Sequence, residues 1–187
     1  ILERRAKNPP PWELEIAAQW PSVAEGWGMK LDVRRGSMSG IVRGLSTNVL
    51  AWTTRSQAHV TCVEVEVPIP AGHALSLSRQ EGGDGFFTRL FRGQDVCVGD
   101  PTFDSTFVVK GKPEAWVQAV LGPAARQEIL ALIDAGIALE IEDGKLTAWA
   151  KKMILDVESL DRLMKSAYSA AATLCPAVTP PSQTPYR

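Results

Sequence analysis

Hydrophobic and polar positions alternate with a period of two through residues 30–80 and recur at three- and four-residue steps near both ends of the chain. The first pattern predicts strands and the second amphipathic helices. Trp12, Ile16 and Trp20 share one helical face behind the proline-rich entry that follows Asn8. Pro21 is expected to end or kink that helix, with a further turn from Ser22 to Gly28 carrying Trp27. An antiparallel meander is predicted next, with strands at Leu31 to Arg34, Ser37 to Arg43, Asn48 to Thr54, Ala58 to Val67 and Ala74 to Arg79. The fourth is the clearest. Val63, Val65 and Val67 face one way and Cys62, Glu64 and Glu66 the other, so one face is expected to be buried and one wet. Pro68 and Pro70 stop it, and Gly36, Gly40 and Gly44 are expected at turns or a bulge.

Residues 95–150 read as strand, turn, strand, two helices and a hairpin. Gly99-Asp100-Pro101 is read as a turn and Thr106 to Lys110 as a β-rich run. Pro113 opens one helix, Gly122-Pro123 separates it from the next, and Gly136 closes the second in a left-handed cap. Asp143-Gly144 predicts a two-residue hairpin that pairs Glu142 with Lys145, Ile141 with Leu146, Leu139 with Ala148 and Ile137 with Ala150, leaving Glu140 and Thr147 on the opposite face. The last helix carries Val157, Leu160, Met164, Ala167, Ala171 and Leu174 on its apolar face, with Asp156 as N-cap and Pro176 as the stop.

Composition adds boundaries. At 187 residues, 45% hydrophobic and 22% charged, the chain can build a real core. We expect one domain over residues 10–175, a basic tail or juxtamembrane linker over 1–9, and a proline-rich disordered tail over 176–187. Arg4, Arg5 and Lys7 would suit the cytoplasmic exit of a membrane helix. A net charge of −1 speaks against a nucleic-acid binder, which needs a basic surplus. Cys62, Cys97 and Cys175 form no C-x-x-C pair, and Cys62 and Cys97 are read as small buried hydrophobes.

Candidate chemistry is sparse. His59 and His73 have no metal-ligand spacing, and Gly36-Ser-Met-Ser-Gly40 fails as a nucleophile elbow because Met38 holds the serine position. No phosphate-loop or dinucleotide fingerprint occurs, and neither a cofactor nor a metal is expected. Asp95, Asp100 and Asp104, with Asp84 near them, could hold a hard cation; the turn-capping reading of Asp100 and Asp104 suits their neighbours better. Residues 81–94 carry Gly82, Gly83 and Gly85 beside Phe86, Phe87, Arg89, Leu90, Phe91 and Arg92. That apolar and basic stretch either packs over the core or meets a membrane surface or a partner.

The stretch Gly99-Asp100-Pro101-Thr102-Phe103-Asp104-Ser105-Thr106-Phe107-Val108-Val109-Lys110-Gly111 resembles a widespread group of uncharacterised bacterial proteins with the pattern G-D-x-x-F-D-x-x-F-x-V-x-G. The resemblance spans residues 30–174. It implies architecture, often with membrane helices upstream of a cytoplasmic domain, and carries no activity and no site residues. Taken together, the expectation is an α+β fold: a curved antiparallel sheet of about seven to nine strands packed on a C-terminal helix, with a helical pair before the last hairpin. The expected role is a non-catalytic cytosolic binding or scaffold domain, tethered to the inner membrane. A small-molecule or lipid carrier and an enzyme of unrecognised type are the alternatives.

Overall fold

The structure is a computed structural model that describes residues 9–54, 58–80 and 96–175. It is an α+β fold built on one curved, unclosed, antiparallel sheet of eight strands. In chain order the elements are α1 (Pro11–Trp27), β1 (Lys30–Asp32), β2 (Ser37–Val42), β3 (Leu45–Thr53), β4 (His59–Glu66), β5 (Ala74–Arg79), α2 (Pro101–Thr106), β6 (Phe107–Lys112), α3 (Glu114–Val120), α4 (Pro123–Asp134), β7 (Ala138–Glu142), β8 (Lys145–Ala150) and α5 (Val157–Leu174). The sheet order is β1-β2-β3-β4-β8-β7-β5-β6.

The β7–β8 hairpin is therefore wedged between β4 and β5, which are consecutive in sequence. Asp143 and Gly144 have φ of 49° and 73°, the two positive values a type I′ turn requires. The expected pairs Glu142–Lys145, Ile141–Leu146 and Leu139–Ala148 form, with Glu140 opposite Thr147. Ile137 lies outside the ladder. Its N–H donates to the Leu132 carbonyl, so it caps α4 instead of extending β7. Val67, just past β4, donates to the Gly144 carbonyl and pins the hairpin tip.

The helices pack on one face of the sheet. Inward positions alternate with outward ones along each central strand: Val49, Val63, Val65, Leu139, Ile141, Leu146 and Ala148 are all within 1% of complete burial. One continuous core joins them to Ile16 and Trp20 of α1, Ile129 of α4, and Leu160, Met164 and Ala171 of α5. Burying each valine, leucine, isoleucine or methionine among them contributes about 1.5–3 kcal/mol. Two tryptophans pin α1 to α5 and its approach. Trp20 Nε1 donates to the Ile154 carbonyl at 3.2 Å, and Trp27 Nε1 to Asp161 at 2.9 Å. Buried Thr61 accepts from the Ile154 N–H at 2.8 Å, which ties the entry of α5 to the centre of the sheet.

Several expectations are corrected. Pro21 lies inside α1, which runs unbroken to Trp27 and ends at left-handed Gly28; the buried pair Ile16 and Trp20 before it and Val23 and Ala24 after it hold both halves on the sheet. The first strand stops at Asp32, whose side chain caps a 3-10 turn over Val33–Arg35. Gly40 is neither turn nor bulge. It pairs with Thr47 in mid-strand, and a Cβ there would sit 3.2 Å from Met29 Cα, so it admits the chain leaving α1. Pro113 precedes α3 as its N-cap, and the first helical residue is Glu114. Val157 opens α5 but is 37% exposed, because the apolar seam begins at Leu160. Asp156 caps that helix through Ser159 N–H at 2.8 Å, and this bond holds its carboxyl below the usual aspartate range.

Candidate functional site

The acidic pattern and the G-D-x-x-F-D-x-x-F-x-V-x-G stretch meet in one knot. Gly99 takes φ 77°, which frees Asp100 to stand before Pro101 as the N-cap of α2, a helix where the sequence predicts a turn. Asp100 Oδ1 accepts from the N–H groups of Thr102 and Phe103, both at 3.1 Å. Asp104 reaches back: Oδ1 accepts from Val98 N–H at 3.0 Å and Oδ2 from Gly99 N–H at 3.1 Å. Arg126 of α4 closes the knot, donating to the Val98 carbonyl at 2.8 Å with its Nε 3.5 Å from Asp100 Oδ2. Phe103, Phe107 and Val109 fill core positions, with the two rings 4.9 Å apart. At Gly111 a Cβ would collide with the Ala74 carbonyl oxygen and lie 2.6 Å from Val117 Cγ2. Every fixed residue of the pattern thus has a structural task.

The carboxylates of Asp100 and Asp104 are spent on backbone amides and a guanidinium, as the capped-turn reading requires. Asp95 lies outside the described residues, as do Asp84 and the whole apolar and basic stretch Phe86, Phe87, Arg89, Leu90, Phe91 and Arg92. Among the described residues no three histidine, cysteine or acidic side chains gather where a metal could sit. Cys97 is exposed, against expectation, because it lies in the segment leading into the knot and no strand holds it inward. His73 packs its ring edge-on to Trp116 at 4.9 Å, and His59 shares a 3.0 Å hydrogen bond with Thr53.

A second surface was not foreseen. The sheet face turned away from the helices carries two parallel strips that cross the strands. In one, Leu50, Cys62, Trp149 and Ala138 stand in register on β3, β4, β8 and β7. Trp52, 42% exposed, and its cross-strand partner Val60 extend it. The wet face expected beside Val63 and Val65 is therefore apolar at its upper end, and Cys62 on it is buried between large neighbours. That burial, with Glu64 adding repulsion, pushes the Cys62 thiol up to about 12. The second strip is Asn48, Glu64, Thr147 and Glu140, followed by Glu66, Lys145 and Glu142. Lys145 Nζ lies 3.4 Å from Glu64. Desolvation against the sheet, then the charge of Glu142, raises the Glu140 carboxyl above the usual range. Ile41 on β2, 76% exposed, adds another outward apolar side chain. The sequence signal was Val49-Leu50-Ala51-Trp52, apolar at both parities, which a strand with one wet face would not need.

At one end of the sheet, the Pro68–His73 connection passes over the hairpin tip. It encloses an open groove of about 720 Å³ walled by Val67, Ile69 and Pro70 and edged by Glu66, Asp143 and Lys145. A smaller groove of about 340 Å³ lies between Gly136, Lys151, Lys152 and Arg162. The first lies away from the helices, and the second opens at the rim between the end of β8 at Ala150 and α5 at Ser159 and Leu163, outside the packed core whose inward side chains are covered.

No family model matches the chain, and no curated protein does. Among solved structures, the fold is similar to the mycobacterial trehalose monomycolate transport factor A, TtfA. The TM-score is 0.51 at 12% identity, over 90% of this chain and 98% of that one. That similarity is one of fold. No helix among the described residues is long and apolar enough to cross a membrane.

Proposed function

We propose that this protein is a non-catalytic binding domain that holds a protein partner through the open face of its sheet, as an accessory factor of a membrane transport assembly. The observation that carries the reading is the outward strip of Leu50, Trp52, Val60 and Trp149 on the face opposite the helices. Apolar side chains gathered in this way, rimmed by charge, are the signature of a docking surface. The carboxylates that could have served chemistry are instead committed to caps in the knot. The setting is supported by the fold shared with the mycobacterial factor named for trehalose monomycolate transport. On this reading the domain works at the cytoplasmic side of an inner membrane, tethered there by a membrane-spanning segment upstream of it.

A lipid-carrying role is the second reading, and the groove beside Ile69 together with that same likeness of fold favours it. The two separate by mutation in the source cell. Ile41→Ser with Trp52→Ser removes outward apolar surface and should leave the melting temperature within about 2 °C of the parent, since neither side chain is buried. Loss of function in cells carrying that pair supports the docking reading. Full function in that pair, with loss in an Ile69→Ser variant that no longer retains lipid on purification, supports the carrier.

A further inference from the structure

We infer that the open sheet face receives a basic amphipathic helix of a partner protein, laid across the strands; this rests on the docking reading above. The two strips run parallel, one apolar and one acidic, each crossing β3, β4, β8 and β7. Neighbouring strands are spaced by about 4.8 Å, so each strip is about 15 Å long, the length of about ten helical residues. A helix with an apolar stripe and a flanking basic stripe matches both strips at once.

Charge decides the partner's sign. Four carboxylates, Glu64, Glu66, Glu140 and Glu142, share this face with Lys145, and Lys110 on β6 stands in the row of Glu142 two strands away, so carboxylates outnumber cations four to two. Lys145 pairs with Glu64. Among the described residues no cation stands within ion-pair distance of Glu66, Glu140 or Glu142. Glu140 and Glu142 lie two apart on one side of one strand, where like charges repel. A partner's lysines or arginines would relieve that repulsion as they dock. An anionic lipid surface would be repelled instead. A patch four strands wide offers a few hundred Å², below the roughly 800 Å² per partner of a standard interface between globular proteins. A single helix therefore suits it better than a second copy of this chain.

The test titrates the full chain into a fluorescein-labelled fourteen-residue peptide of leucine and lysine, with leucines at helical i, i+3, i+4, i+7 spacing. A counterpart carries glutamate for every lysine. The lysine peptide should bind at least about tenfold tighter than the glutamate peptide, with the preference shrinking as salt is raised from low to high. Glu140→Lys with Glu142→Lys should reverse the preference, and the milder Glu140→Gln with Glu142→Gln should abolish it, each with a melt that shows the chain folded. Equal affinity for both peptides, or a preference that survives charge reversal, would overturn the inference. Trp52→Ser separates the two levels of the argument. If it weakens both peptides while charge reversal changes nothing, the face docks partners but not basic ones; if it changes neither, the docking reading falls as well. Three further results would also overturn the inference: stronger retention on phosphatidylglycerol vesicles than by the peptide, a dimer in sedimentation that Trp52→Ser dissolves, or tighter peptide binding once residues 81–95 are replaced by a glycine-serine linker. They would assign the face to a membrane, a second copy or the chain's own segment.

Discussion

Replacing Gly111 by alanine adds a single methyl at the most crowded glycine among the described residues. The new Cβ would lie 2.6 Å from Val117 Cγ2 and collide with the Ala74 carbonyl oxygen. Val117 is fully buried in α3, and Ala74 belongs to β5, the strand paired with β6 from Ala74–Lys112 to Arg79–Phe107. The side chain cannot swing away into solvent, and the carbonyl cannot retreat without opening the β5–β6 ladder. Overpacking of this kind costs about 1–3 kcal/mol, and a weakened ladder hydrogen bond adds about 1 kcal/mol. The expected loss is therefore about 2–4 kcal/mol, or a melting temperature lower by about 5–15 °C for a chain of this size. Urea unfolding followed by circular dichroism measures it, with an unchanged slope showing that the folded state keeps its compactness. Lys112→Ala, at an exposed position in the same strand, is the control and should stay within about 0.5 kcal/mol of the parent. Adding Val117→Ala should relieve part of the clash, so the double variant should lose less than the two single losses combined. A Gly111→Ala protein within about 0.5 kcal/mol of the parent would refute the argument that this glycine exists to let α3 and β5 approach.

Three further outcomes follow from the same geometry. Gly144→Val should destabilise by about 1–2 kcal/mol in thermal melts, because a β-branched residue resists φ of 73° and its Cβ would sit 3.1 Å from the Val67 carbonyl oxygen. Asp104→Ala leaves the Val98 and Gly99 N–H groups without their carboxylate and should cost about 1.5–3 kcal/mol by denaturant titration, more than Asp104→Asn, which keeps one acceptor. In the native protein at pH 8 a thiol reagent should label exposed Cys97 quickly, whereas Cys62, with its thiol pushed up to about 12, and buried Cys175 should react only on unfolding, as peptide mapping would show.

What the sequence disclosed divides by range. The Asp143-Gly144 turn and the register around it were legible because two adjacent residues fix both. Asp156 as a cap and the Leu160 to Leu174 seam were legible for the same local reason. The insertion of that hairpin between β4 and β5 was not, since it depends on pairings such as Cys62–Trp149 that join residues far apart in the chain. Pro21 misled because a proline inside a helix costs about 3 kcal/mol on its own, and the buried residues on either side of it offset that cost. The knot was half legible: Asp100 and Asp104 read as turn caps, but Arg126, which completes it from α4, has no marker in the sequence. The open face was the least legible. Its strip is assembled from four strands, and a run such as Val49-Leu50-Ala51-Trp52 does not reveal which parity the helices will cover.

The central claim is that the functional surface is the sheet face opposite the helices. The most direct measurement places a photo-crosslinking amino acid at residue 52 in the full protein in its source cell, and compares it with the same probe at Glu158 on the exposed side of α5. The account predicts a discrete protein adduct from position 52 that disappears with Glu140→Lys and Glu142→Lys, and no such adduct from position 158. An adduct from position 158 alone, or the same products from both positions regardless of the charge reversal, would contradict it.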